Sequence, residues 1–241
     1  RDGRGALRAT AEPLVGVHGI PEADRVIGRA AAGAQGPRDP FFTERKRDMK
    51  KSLGANTILY PTPVLLVGTY DAAGKPNVMT AAWGGICCSS PPCVAVSLRK
   101  ATYSHGSIVL QQAFTVSIPS EKYAAAADYC GIVSGKRADK FAEAGLTAVR
   151  SSLVNAPYVG EFPLVLECRL LHQFELGLHT QFVGEILDVK ADAKILDDRG
   201  EPDVEKLRPF FFAPESNAYY GTGKRLGDAF SMGKAVQKKG M

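Results

Sequence analysis

The segment that most constrains this chain is Asn77–Gly106, NVMTAAWGGICCSSPPCVAVSLRKATYSHG. It runs a polar strand end, the single Trp of the chain, a Pro-Pro turn and an apolar strand in direct succession. A basic, hydroxyl-rich corner follows and opens a helix. Packing alone does not call for that order of chemistries, but a planar anionic ligand does. Trp83 and its small neighbours can face a ring system, and Arg99, Lys100, Thr102 and Ser104 can hold a phosphate.

From Met49 onward the texture is one of short β-rich runs broken by turns. PVLLVGTY (Pro63–Tyr70) reads as a strand, Asp71-Ala-Ala-Gly74 as a hairpin turn and Asn77–Ala82 as the returning strand. CVAVSL (Cys93–Leu98) and AFTVSI (Ala113–Ile118) read as buried strands, with a short helix from Ser104 to about Gln112 between them. Ser120 reads as the N-cap of a helix over Glu121–Tyr129, and Ser134 as that of a helix over Lys136–Ala144. Val165–Phe174 and His179–Val189 read as long strands, and the tail from Pro202 as irregular. The pattern is mainly β with short helices, as in a closed antiparallel barrel.

Residues 1–48 differ. They are rich in Arg, Ala, Gly and Pro, show no sustained apolar period and end in the charged cluster TERKRD. They read as a disordered or extraneous extension, with residues 49–241 as the folded domain. The chain has 30 Lys and Arg against 25 Asp and Glu, a net charge of +5. Residues 1–48 hold nine basic against seven acidic side chains, which leaves only +3 on the rest. That is too little for a nucleic-acid surface, and no basic stripe interleaved with aromatics is present. No apolar stretch approaches the roughly 18–20 residues that span a bilayer, so no membrane partner is expected. Five cysteines, an odd number, point to reduced thiols in a cytoplasm.

Within the constraining segment, Asn77, Met79, Thr80, Ala82 and Trp83 form a candidate platform for a planar ring system. A flat, amphipathic ring needs an aromatic or apolar neighbour, small residues for close approach and donors along its polar edge; Gly84-Gly85 allows that approach. A buried core Trp is the simpler alternative. The Arg99–Ser104 corner is the candidate phosphate site, because a helix N-terminus offers free N–H groups and a positive dipole end. Its alternative is a solvated strand end with an ordinary Ser cap. No spaced-glycine dinucleotide fingerprint or P-loop appears, which favours a mononucleotide. Lys140 and His179 are candidate electrostatic tuners, against the alternatives of plain surface charge and an exposed polar position. Cys87, Cys88 and Cys93 have the spacing CC-x4-C, which fits no familiar zinc pattern, and a bond between the adjacent pair would need a strained ring, so catalytic disulfide chemistry is not expected. They read as small buried hydrophobes on a core strand, as do Cys130 and Cys168. No metal site is expected.

The motifs MTAAWGGICC, PPCVAVSLRKATY, GIVSGKRADKF and GLHTQFVGEI resemble the flavin reductase-like, FMN-binding split-barrel family, in its flavoredoxin-type branch. The resemblance covers about Met49–Lys234. It implies a Greek-key split β-barrel, a homodimer with flavin sites at or near the interface, and FMN as cofactor. It implies flavin contacts at Asn77, Trp83, Ser104, Lys140, His179 and Phe212. The function implied is an FMN-dependent oxidoreductase or electron carrier. Electrons would pass from NAD(P)H or a redox partner protein through FMN to an acceptor, with no side chain as catalytic acid or base. Two alternatives stay open: a reductase that supplies reduced FMN to a monooxygenase, and a non-catalytic FMN-binding module.

Overall fold

The computed structural model describes residues 50–237. Those from Ala55 onward belong to one unit. The reading of residues 1–48 as an extension lies outside the described residues.

Strands that alternate apolar and other side chains bury one face, and here they do so around a shared centre. The first half of the unit holds β1 (Thr62–Pro63), β2 (Leu65–Tyr70), β3 (Pro76–Ala81), β4 (Gly84–Ser89), β5 (Pro92–Arg99), helix α1 (Tyr103–Gln111) and β6 (Ala113–Ile118). Then come α2 (Ala124–Ile132), α3 (Lys140–Glu143), β7 (Ala148–Arg150) and β8 (Pro157–Val159). The long strands β9 (Leu164–Leu176) and β10 (His179–Ala191) lead to α4 (Val204–Leu207), β11 (Phe210–Ala213) and β12 (Ala218–Gly221).

Seven strands form one antiparallel sheet in the order β3-β2-β6-β9-β10-β5-β4. Its two edges, β3 and β4, are consecutive in the chain and joined through Ala82 and Trp83. The sheet therefore returns on itself without a ladder between them, which is where the barrel is split. Side chains from both halves meet inside: Val67, Val116 and Leu166 pack in one cluster with Val96, Phe114 and Phe182. Phe114 and Phe182 are fully buried, so truncating either to Ala should cost about 3–5 kcal/mol. The alternate residues Val64, Leu66 and Val78 face outward under Ala127 and Cys130 of α2, Phe141 of α3 and Phe210. This second layer seats α2 and α3 against β3, beside the split.

The strands expected from the sequence are present, with β9 and β10 longer than read. Four local expectations need correction. The tail is not irregular: β11 pairs with both β12 and β1 in a three-stranded sheet. Cross-strand aromatics support it, with Phe211 stacked on Tyr220 at 5.6 Å. These strands are short, and β1 comes from far away in the sequence, so no local pattern revealed the pairing.

Ser120 does not cap a helix through its side chain. The segment begins as a 3₁₀ turn over Glu121–Tyr123, and the buried Ser120 hydroxyl has no partner. The helix assigned to Lys136–Ala144 is only α3. Asp139 caps it, accepting from the Ala142 N–H at 3.2 Å, while Ser134 accepts from the Lys136 N–H at 3.3 Å in a turn. Cys87 and Cys88 are exposed rather than buried, because β4 is a sheet edge with little packed over it; Cys93, Cys130 and Cys168 are buried.

Candidate functional site

Helix α1 starts at the end of β5. Its N-cap residue, Thr102, makes no side-chain bond to the helix; its hydroxyl donates back to the Arg99 carbonyl at 2.8 Å. The first turn contains no acidic residue. The amides of that turn therefore keep their affinity for an anion.

Two hydrogen bonds aim this helix start. The Tyr103 hydroxyl donates to Asp71 in the β2–β3 turn at 2.6 Å, and the Asn77 amide donates to the Ser104 hydroxyl at 2.8 Å. The Tyr103 bond holds the Asp71 carboxyl below its usual range and pushes the Tyr103 phenol up. Both Asn77 and Ser104 are buried.

Two cavities open here and share Met79 and Thr102 as walls. The first, about 220 Å³, is lined by Asn77, Ser104, Lys140 and Cys130–Gly135, the end of α2 and the turn after it. The second, about 180 Å³, is lined by Thr80, Ala82, Trp83, Arg99 and His179. A cleft of about 600 Å³ adjoins them at the start of α1, lined by Asp71, Lys100, Thr102, Tyr103 and Lys136, and one of about 490 Å³ lies elsewhere, near Lys194 and Arg208. Those two cations are already paired, with Asp192 and Glu121, whereas the smaller cavities gather unpaired cations, hydroxyls and the Trp.

Lys140 defines the first cavity. It is 5% exposed, and its ammonium donates to the Cys130 carbonyl at 2.8 Å. No carboxylate pairs with it among the described residues. Burial lowers its pKa from the usual lysine value, and burial pushes the neighbouring Cys130 thiol up to about 11. A buried cation held only by a carbonyl is a costly arrangement that an anionic or electron-rich ligand would offset. Plain surface charge is not its role.

The second cavity sets Arg99, which makes no ion pair among the described residues, beside Trp83 and His179. The β5–β10 register explains the meeting, since His179 is paired directly with Arg99. The backbone of Trp83 is held by the Ser97 N–H, which donates to its carbonyl at 2.8 Å.

The residues proposed from the sequence divide three ways. Asn77, Met79, Thr102, Ser104 and Lys140 line one cavity, while Met79, Thr80, Ala82, Trp83, Arg99, Thr102 and His179 line the other. Thr80 has already committed its hydroxyl to the Ala127 carbonyl. Lys100 turns away, ion-paired with Glu175 at 2.5 Å. Phe212 is on β11, packed on Tyr219 and outside both cavities. His105 bonds Thr180 through Nε2 at 2.8 Å, and burial lowers its pKa.

The segment Cys130–Gly135, the end of α2 and the turn after it, was missed as a wall. Its signal was Gly135: a Cβ there would lie 2.1 Å from the Asn77 side-chain oxygen and 2.7 Å from the Tyr103 ring. Only glycine lets the turn pass so close.

Fold and site together define a class: a split antiparallel barrel with an anion-attracting helix start beside an aromatic-walled cavity. Residues 57–205 match the family model described as flavin reductase like domain, and the chain belongs to that family. By family it is a flavin-binding oxidoreductase. The flavoredoxin of Desulfovibrio vulgaris (Miyazaki F) is 59% identical and matches with a TM-score of 0.74, covering 77% of this chain and 100% of its own. A flavoredoxin from Methanosarcina acetivorans is 32% identical with a TM-score of 0.73, covering 78% of this chain and 98% of its own. The NADH:riboflavin 5'-phosphate oxidoreductase of Streptomyces pristinaespiralis is 29% identical over 153 residues, 64% of this chain and 81% of that protein. Among the described residues no helix is long and apolar enough to cross a membrane, and no group of three or more His, Cys, Asp or Glu could hold a metal.

Proposed function

We propose that the protein is an FMN-dependent oxidoreductase of the flavoredoxin type. It would carry electrons from NAD(P)H or a redox partner protein to an acceptor. The observation that carries this reading is Lys140, a buried ammonium without a carboxylate on the wall of a cavity that also receives the start of α1. The identity to flavoredoxins and a relative named for riboflavin 5'-phosphate, which is FMN, support the choice of flavin.

Bound FMN would supply reversible two-electron redox chemistry. Arg99 and the free N–H groups at the start of α1 would hold its phosphate, since both Thr102 donors are spent on the Arg99 carbonyl; Trp83 would face the ring, and Lys140 with Ser104 would meet the ring's polar edge. Lys140 there favours added negative charge on the ring through an electrostatic interaction little screened by water. The Ser104 hydroxyl accepts from Asn77, which leaves its own proton free to donate. Exposed Phe174, Leu176 and Leu178 at the turn between β9 and β10 support a homodimer.

Purified protein is expected to keep near one FMN per chain through gel filtration, to bind FAD more weakly, and to bleach on anaerobic addition of NADH, NADPH or a reduced partner protein. FMN that is bound but never reduced by any of these would leave a non-catalytic flavin module. Light scattering that shows a monomer with full FMN would overturn the homodimer.

A further inference from the structure

The three clustered cysteines are not alike. Cys88 on β4 and Cys93 on β5 are directly opposed in the antiparallel register, on either side of the Ser89–Pro92 turn. Directly opposed residues have Cα atoms about 4.5–5.5 Å apart, inside the roughly 4.4–6.8 Å that a disulfide spans. They also share one face of the sheet, because side chains alternate in step along paired strands. Cys87 falls where the register shifts between Ile86 and Cys88, and it has no partner on β5. Cys88 is exposed on the edge strand, and Cys93 beneath it is 3% exposed.

We propose that Cys88 and Cys93 form a thiol–disulfide exchange site for low-molecular-weight disulfides, with Cys88 as the attacking thiol and Cys93 as the resolving thiol. The Cys88 thiolate attacks one sulfur of a disulfide RSSR. The RS–SR bond breaks, the Cys88–SR bond forms, and RS⁻ leaves and takes up a proton. The Cys93 thiolate then attacks the Cys88 sulfur, closing the Cys88–Cys93 bond and releasing the second RS⁻ as RSH. Two protein thiols are oxidised, one RSSR is reduced to two RSH, and no other oxidant is required. The order of roles follows from access: an incoming disulfide meets Cys88 first. Burial and the neighbouring Cys88, Cys87 and Glu185 also push the Cys93 thiol up, which makes it the poorer first nucleophile. Cys130 and Cys168 are buried and serve as internal controls. Neither Cys88 nor Cys93 lines the two cavities beside Trp83 and Lys140.

The test is incubation of the full protein with oxidised glutathione, followed by thiol counting in denaturant and intact mass. Wild type is expected to fall from its five thiols by two, with no glutathione retained. Cys93→Ala and Cys93→Ser should each trap one glutathione on Cys88. In a Cys87→Ser background, which removes the other exposed thiol, the pair should still lose two thiols with no glutathione retained, and adding Cys88→Ser should abolish that loss. Circular dichroism confirms that each variant is folded, and agreement between the two Cys93 variants guards against a packing defect in one of them. A Cys87→Ser protein that keeps all of its remaining thiols, or that holds glutathione stably, would overturn the proposal. So would a Cys93 variant that resolves its adduct through Cys87.

Discussion

The Arg99–Ser104 corner and the short helix α3 both bring basic residues to one region of the protein, yet they keep them in opposite states. At the corner the cations are exposed, and Lys100 is drawn into an ion pair with Glu175 whose side chains are 62% and 56% exposed. Water screens that pair, so it contributes about 0–1 kcal/mol. In α3 a single lysine is buried on a carbonyl with no counter-ion. The corner sets two cations side by side in the sequence, but the electrostatic leverage belongs to Lys140, because leverage rises as water is removed.

The sharpest test of that contrast is Lys140→Met. FMN affinity is expected to fall about 10- to 100-fold, the loss of a charge-assisted contact of about 1.5–3 kcal/mol. The midpoint potential of bound FMN should fall by tens of millivolts, at about 30 mV per 1.4 kcal/mol. Affinity that falls with an unmoved potential would put Lys140 on the phosphate instead of the ring.

The same substitution should stabilise the flavin-free protein, since a buried cation without a partner opposes folding; each 1 kcal/mol gained raises the melting temperature by about 2–4 °C. The sign with pH follows from the lowered pKa. Between the folded value and the usual lysine value of 10.5 the unfolded chain binds more protons, so wild-type stability attributable to Lys140 rises with pH through that window. The advantage of Lys140→Met should therefore shrink as pH climbs toward 10.5. Thermal melts of both flavin-free proteins across alkaline pH check this, and a gap that widens would overturn it.

Next in size is Gly135→Ala. The added methyl cannot coexist with the Asn77 side chain at 2.1 Å, so the Asn77–Ser104 bond must shift, at about 1–3 kcal/mol. FMN titration should show roughly a tenfold loss. Arg99→Ala should weaken FMN by about tenfold and riboflavin much less, since a charge-assisted contact to phosphate contributes about 1.5 kcal/mol; equal losses for both ligands would remove the phosphate role. The smallest effect is expected from Lys100→Ala, with FMN affinity changed less than about twofold. A loss at Lys100 as large as at Arg99 would show that the ion pair with Glu175 opens to admit ligand, and the contrast between corner and α3 would fail.

Much of this molecule was legible without coordinates. Strand texture marked β2, β3, β5, β6, β9 and β10, because alternation is a local property that each strand carries by itself. The motifs around Trp83, Arg99 and Lys140 carried the family, and the sequence named about half of the residues that line the two cavities, missing Cys130–Gly135. Burial is not local in that way. Whether Lys140 is covered depends on α3 packing against β3 and α2, and whether Lys100 is free depends on Glu175 near the far end of β9. The opposition of Cys88 to Cys93 required the actual register, with its shift beside Ile86; the spacing CC-x4-C allowed several. The β1–β11–β12 sheet joined segments far apart in the chain and too short to declare themselves. The sequence determined the elements and the chemistry available to them. The tertiary structure decided which charges lose their water and which side chains meet, since both depend on contacts between segments that only the folded chain brings together.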